Sequence, residues 1–392
     1  MFNTRLTCAI ASAVALCLAS AATAQVDVAI HYLKQVVDAP PTLSNLDPIP
    51  EDLGIRGAEL GAQENNTTGK FLGQTYSLIV TEVFEGEDFA EAARAALAET
   101  DLLVLDAPTA QLLAAADLPE AKAALLFNAG AADVALRDET CRARVLHALP
   151  SYAMKADALM QFFVTRRWDE IALIAGERPE DQAWAETLER SARKFGLKFG
   201  ARKTWAFDAD MRRNAAQEVP LFTQDLGDYD VLLVADAADD FARYISYNTW
   251  RPRPVAGSEG LRAVTWHRVV EQWGAAQLQS RFTKLADRPM LDRDYAAWAA
   301  VRAIGEAVTR TGAADAETLR SFMLSDAFEL AGFKGSPLTF RTWNGQLRQP
   351  IPLVHERALV AQAPLEGFLH QRNELDTLGL DQPESGCTAF EN

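Results

Sequence analysis

Residues 145–177 read VLHALPSYAMKADALMQFFVTRRWDEIALIAGE. One strand-helix series ends at Pro150, which lacks the N–H that a helix or ladder needs. A second series opens with an amphipathic helix over 154–168 and an apolar strand over 170–175. The stretch therefore reads as a junction between two units. If the units on either side are built alike, a ligand belongs between them.

Upstream, a strand over 26–33 is followed by a Pro-rich insertion at 37–51 and a helix over 52–67. Gly57, Ala58, Gly61 and Ala62 fall on adjoining turns of that helix, the pattern of a helix lying close against a sheet. Strands over 76–83, 101–105 and 123–127 then alternate with helices over 88–99 and 109–116. Downstream the same grammar returns: strands over 171–175, 198–207, 231–235 and 254–256, with helices over 182–196, 214–225 and 239–248. Such alternation means parallel sheets with helices on both faces. The fold class is therefore α/β, with two doubly wound lobes joined by a multi-strand hinge.

The segment 261–292 loses the alternation, as a chain crossing back would. Helices over 294–312 and 316–325 follow. Residues 338–341 and 352–356 read as a terminal hairpin around Trp343-Asn344-Gly345-Gln346, Asn-Gly being a turn signal. The tail beyond 373 is polar and expected to be loose until Cys387. The division is a signal at 1–24, lobe one at 25–149 with 266–331, lobe two at 150–265 with 332–372, and a tail at 373–392.

The first residues carry one positive charge at Arg5, an apolar run over 6–19 and a small-x-small site at Ala22-Thr23-Ala24. This reads as a cleaved secretory signal and places the protein in the periplasm. An uncleaved anchor wants a longer apolar run, and lipid attachment at Cys17 wants a small residue where Leu16 stands. No later segment could be inserted in a membrane. Cys8 and Cys17 leave with the signal. Cys141 and Cys387 remain, and two cysteines in an exported chain usually pair; the alternatives are two unrelated thiols or a metal site, for which neither has a close His or Cys partner.

The 392 residues exceed one compact core of ordinary size, in keeping with two lobes. A net charge of −16 repels phosphate backbones and anionic lipid, so neither nucleic acid nor a membrane surface is an expected partner. Phosphate-loop, nucleophile-elbow and clustered His/Cys patterns are missing, so neither an enzyme nor a bound cofactor or metal is expected.

In open parallel sheets, ligands bind beyond the carboxyl ends of the strands. Those ends carry Asp106 and Thr109, Asn128, Glu177 and Arg178, Asp236, and the loop Gly257-Ser-Glu259-Gly260. Helix capping is the alternative use of Asp106, Asn128 and Asp236. Tyr152 stands on the hinge, and Trp250 and Trp266 are free to face a ligand. A carboxylate pair such as Asp106 with Glu259 is the one acid-base arrangement in view.

With these residues in place, the chain resembles the type I periplasmic binding proteins, the leucine/isoleucine/valine-binding class that serves ABC importers. The resemblance rests on the Gly57-Ala58 helix with Asn65-Asn66, the strand-helix-strand after Pro150, the Gly257–Gly260 loop, Asp294-Tyr-Ala-Ala, Gly332-Phe-Lys-Gly335 and Trp343-Asn-Gly-Gln346. It implies a monomer that binds a small molecule between its lobes and delivers it to permease subunits. Residues 44–74, SNLDPIPEDLGIRGAELGAQENNTTGKFLGQ, are similar to the subgroup associated with pyrroloquinoline quinone-dependent alcohol catabolism. Amino-acid-binding members use a Gly-x-Glu-Gly carboxylate for the ligand's ammonium, a position that Glu259 matches. They hold the ligand's carboxylate after the first-lobe strands, where Asp106 would repel it, so an alcohol, aldehyde or amine with an aromatic body is the expected ligand. The quinone cofactor, a planar tri-acid, ranks second and would need Arg137, Arg178 or Arg251 in the cleft.

Overall fold

The structure, a computed structural model, describes residues 25–37, 49–206, 211–237, 239 and 241–390. The expected signal at 1–24, residues 38–48 of the Pro-rich insertion and the last two residues lie outside that range.

The first lobe is built from β1 (Val26–Gln35), α1 (Ile55–Leu72), β2 (Gln74–Val83), α2 (Phe89–Leu97), β3 (Leu102–Asp106), α3 (Thr109–Ala116), β4 (Leu125–Asn128) and β5 (Val145–His147). Its strands form one parallel sheet in the order β2-β1-β3-β4-β5. The second lobe repeats the plan with α4 (Tyr152–Arg166), β6 (Glu170–Gly176), α5 (Pro179–Lys194), β7 (Lys198–Trp205), α6 (Met211–Thr223), β8 (Val231–Ala235), α7 (Ala242–Ile245) and β9 (Val255–Gly257). Here the order is β7-β6-β8-β9, again parallel. Every residue of β3, β4, β5, β8 and β9 is buried, because helices cover both faces of each sheet. Each sheet thus has a hydrophobic core on either side.

Several elements differ from the sequence expectation. The segment 261–292 holds β10 (Arg262–Ala263) and a full helix, α8 (Ala275–Ala286). That helix starts at Gly274, with positive φ and no side-chain cap, so it lacks the usual start signals. Then come α9 (Asp292–Thr311) and α10 (Ala316–Met323). Gly57 and Gly61 of α1 face α9 rather than a sheet. A Cβ on Gly57 would lie 1.9 Å from the Asp294 carbonyl oxygen, and one on Gly61 would lie 2.9 Å from Val301 Cβ, so only glycine permits this approach. The helix expected over 239–248 shortens to α7, whose first amides are set by Asp236: its Oδ2 accepts from Phe241 N and Ala242 N.

The expected hairpin is also rearranged. β11 (Thr339–Phe340) pairs with β12 (Leu347–Arg348) around the Asn344-Gly345 turn, while β13 (Ile351–His355) pairs with β10 and with β14 (Ala358–Ala363). Leu338, Phe340 and Leu347 pack in the first lobe's core, and Ile351 and Leu353 in the second's. The last crossing therefore falls at 349–350, not at 332.

The chain crosses between lobes at 148–152, at 263–264 and at 349–350. Buried side chains tie these passes together. Gln349 Nε2 donates to Ala148 O at 2.8 Å, and Gln346 Nε2 donates to His147 O and Leu149 O. Arg137 donates to Gln346 Oε1 and to Leu149 O, and Lys334 Nζ donates to Gln349 Oε1 at 2.6 Å.

The tail is not loose. Asp376, 1% exposed, accepts from Arg341 and Arg348, and Leu375 and Leu378 are buried. Gly379 N donates to Asp157 of α4, Lys194 of α5 pairs with Glu384, and Ser385 Oγ donates to Arg137 O. Cys141 and Cys387 are joined, with their Cα atoms 5.7 Å apart. The segment is a strap that touches both lobes. Replacing both cysteines by serine is expected to lower stability by about 2–4 kcal/mol. Thermal melts with and without reductant check this: reductant should lower the wild-type midpoint towards that of the variant and leave the variant unmoved.

Candidate functional site

Each sheet changes winding direction beside its first strand, between β1 and β3 and between β6 and β8. Such switch points open a crevice at the strand carboxyl ends. Asp106, the last residue of β3, and Asp236, just after β8, hold equivalent places in the two lobes.

Asp106 is fully buried. Its Oδ2 accepts from Tyr32 OH at 2.9 Å, and its Oδ1 lies 3.4 Å from Arg293 Nη1 without forming a hydrogen bond. Burial pushes the Tyr32 hydroxyl well above its ordinary pKa, and the Asp106 charge adds to this, so Tyr32 remains a donor. The carboxylate is walled by glycines: a Cβ on Gly54 or Gly130 would come within 2.8 Å or 2.7 Å of its oxygens.

Thr109 opens α3 and donates its hydroxyl to Asp133 Oδ2 at 2.6 Å. Asn128 is consumed by its own loop and the next strand, accepting from Gly130 N and Ala131 N, donating to Ala131 O and meeting His147 Nδ1 at 3.0 Å. Asp236 caps α7, as described. Arg178 precedes α5, its N–H donating to Asp181 Oδ2, and Glu177 beside it is exposed. Glu259 Oε1 accepts from Gly260 N, which leaves its second oxygen for other partners.

Tyr152 is where the lobes meet. Its backbone N–H donates to Ala132 O of lobe one, while its ring packs 5.3 Å from Trp184 of α5 in lobe two. Burial pushes its hydroxyl up to about 12, and the Asp133, Glu180 and Asp181 charges act in the same direction, while Arg293 opposes them. Groups from both lobes thus act on one phenol, which stays protonated and able to donate at any physiological pH.

Trp266 is not a cleft residue. It is 2% exposed, stacks on Tyr295 at 4.9 Å and donates to Gln279, all within the core of lobe one. Trp250 is exposed at 59%. Of the arginines named from sequence, Arg137 is locked in the hinge and Arg251 pairs with Asp228. The cleft arginine missed by sequence reasoning is Arg293, second residue of α9. Its signal was a cation between Asp292 and Asp294 in a first helical turn, where the helix dipole favours acids.

Two concavities of about 400 and 450 Å³ lie elsewhere, one lined by Phe162, Trp168 and Tyr247, the other by Gln362, Arg372 and Glu374. Neither includes the carboxyl ends of β3, β4, β6 or β8. Among the described residues no cluster of His, Cys, Asp and Glu is placed to hold a metal, and no helix is long and apolar enough to cross a membrane.

No family model matches the chain, and no curated protein does. Solved structures do. A branched-chain amino acid ABC transporter periplasmic ligand-binding protein from Burkholderia xenovorans LB400 is 14% identical with a TM-score of 0.73, covering 93% of this chain and 100% of its own. The fold is that of a type I periplasmic binding protein. Other binding proteins of this fold carry different ligands. One from Brucella ovis, described as binding leucine, isoleucine, valine, threonine and alanine, matches in its closed conformation at TM-score 0.66 and 13% identity, over 83% of this chain and 89% of its own. A solute-binding protein from R. palustris in complex with benzoate matches at TM-score 0.66 and 12% identity, over 92% of this chain and 99% of its own.

Tyr32→Phe would leave Asp106 Oδ2 buried without its donor and is expected to cost about 1–3 kcal/mol. Tyr152→Phe removes a hydroxyl with no hydrogen bond among the described residues and should change stability by less than about 0.5 kcal/mol. Urea unfolding of both variants checks the contrast.

Proposed function

We propose that the protein is the solute-capturing component of an ABC importer, working as a periplasmic monomer that binds without turnover and docks on permease subunits. The observation that carries this reading is the repetition of one parallel-sheet plan, each sheet with its own switch point, on either side of a hinge crossed three times. A solute that touches both walls gains its full set of contacts only when the lobes close, so binding shifts the population to the closed form. The permease then distinguishes loaded from empty protein by shape. The neighbours from Burkholderia xenovorans and R. palustris are described as ABC transporter binding proteins, which supports the same role here.

The finer reading is a solute linked to quinone-dependent alcohol oxidation, supported by the resemblance of residues 44–74 to that subgroup. In this reading Glu259, Glu177 and Arg178 line the second wall, and Thr109 and Asp106 the first. The quinone cofactor itself is disfavoured, because a tri-acid needs several arginines and Arg137 and Arg251 are both committed elsewhere.

Native mass spectrometry of the purified protein, with small-angle scattering before and after the bound solute is removed, tests the role. A stoichiometric solute whose rebinding lowers the radius of gyration and which is recovered unchanged is expected. Conversion of the solute would replace the transport reading by an enzymatic one.

A further inference from the structure

Arg293 is a cation whose donors are uncommitted beside aspartates that are committed. Its neighbours in the first turn of α9 do not use it. Asp292 pairs with Lys155 at 2.6 Å and accepts from Thr265 N and Trp266 N. Asp294 pairs with Arg288 at 2.7 Å and accepts from Gly54 N. Its one charged partner is Asp106, at 3.4 Å and without a hydrogen bond, so none of its guanidinium N–H groups has an acceptor among the described residues. The side chain is 45% exposed. Asp106 is fully buried and fixed by Tyr32, so it holds the guanidinium electrostatically while leaving its donors free.

Three aspartates of the cleft show the opposite condition, whereas Glu259 keeps one oxygen free. Asp133 is bonded by Thr109, Asp181 by Ala237 N and Arg178 N, and Asp236 by Phe241 N and Ala242 N. A cation placed against the preference of its own helix end, with its fork unspent, is a site for a planar oxyanion. Tyr152 supplies a second donor from the other lobe, since its phenol remains protonated.

We infer that Arg293 reads a carboxylate on the solute, which bridges the guanidinium of lobe one to the Tyr152 hydroxyl of lobe two. The inference rests on the solute-binding reading and names the ligand class for it: a small monocarboxylate rather than an alcohol or amine. It replaces the expectation drawn from Asp106 alone, because Asp106 is turned to Tyr32 and Arg293. It also fits a pathway of alcohol oxidation, whose terminal products are carboxylic acids. Bridging two lobes through one anion makes closure depend on the charge of the solute.

The test uses full-length protein freed of bound solute and two matched series: benzoate, benzyl alcohol and benzylamine, and isovalerate, isoamyl alcohol and isoamylamine. Calorimetry should give the carboxylate of at least one series the tightest binding. Arg293→Gln should weaken that member by about ten- to a hundred-fold, with Arg293→Lys intermediate and Tyr152→Phe losing less. Unliganded Arg293→Lys and Tyr152→Phe should melt at the wild-type value and Arg293→Gln somewhat lower, since it takes from buried Asp106 its one charged partner, so affinities are compared at a temperature where every variant is folded. Tightest binding of an alcohol or amine, or unchanged carboxylate affinity in Arg293→Gln, overturns the Arg293 assignment and leaves the solute-binding reading intact. No binding by any of the six, with no small molecule released on denaturing the wild type, overturns both.

Discussion

Three passes of chain run side by side between two hydrophobic cores, and each carries backbone groups that water cannot reach. The carboxamides of Gln346 and Gln349, both fully buried, satisfy His147, Ala148 and Leu149 across the gap, with Arg137 and Lys334 completing the set. Burial drives the Lys334 amine far below its ordinary pKa, and its donors are met by Gln349 Oε1 and Pro350 O. Each donor lost here would leave a buried carbonyl unpaired at about 1–3 kcal/mol. The three passes are therefore held to one another by buried side chains as well as by the chain itself.

That constraint fixes what the cleft walls can be. Asp106 and Asp236 hold equivalent places after equivalent strands, yet their surroundings have diverged. In lobe two the carboxylate is spent on starting α7. In lobe one it is spent on Tyr32 and on steering Arg293. The repeated architecture supplies two places of one kind, and the side chains around each decide whether the acid organises the backbone or pairs with a cation. Tyr152, the first residue of the helix that follows the hinge, is positioned by both lobes, because its backbone belongs to one contact and its ring to the other.

The layered α/β plan was legible in the sequence because its strands are short, apolar and evenly spaced: VLLVA at 231–235 and LLVL at 102–105 have no other reading. Capping was legible only as a possibility. Whether Asn128 faces a ligand or its own loop depends on the conformation of three following residues, which composition does not carry. The helix at Ala275–Ala286 has no capping side chain to announce it, and the crossing segment around Trp266 gives no periodicity to show which way that ring faces. Arg293 escaped notice because its meaning lies in a partner far away in sequence, Asp106, and in the prior commitment of its two neighbouring acids. Tertiary pairing of this kind leaves only a faint local trace, here a basic residue in the wrong turn of a helix.

The strap has a topological consequence. After its three passes through the hinge, the chain is carried back by the tail to lobe one and bonded there to Cys141, so residues 141–387 form a closed covalent ring threaded through both lobes. An even number of connections then spans the hinge. A single cut anywhere in that ring opens it without separating the halves, and two cuts within the passes still leave the lobes joined by the remaining pair. The protein is thus tied together like a double-looped purse string, and its working joint is also the part most resistant to being severed.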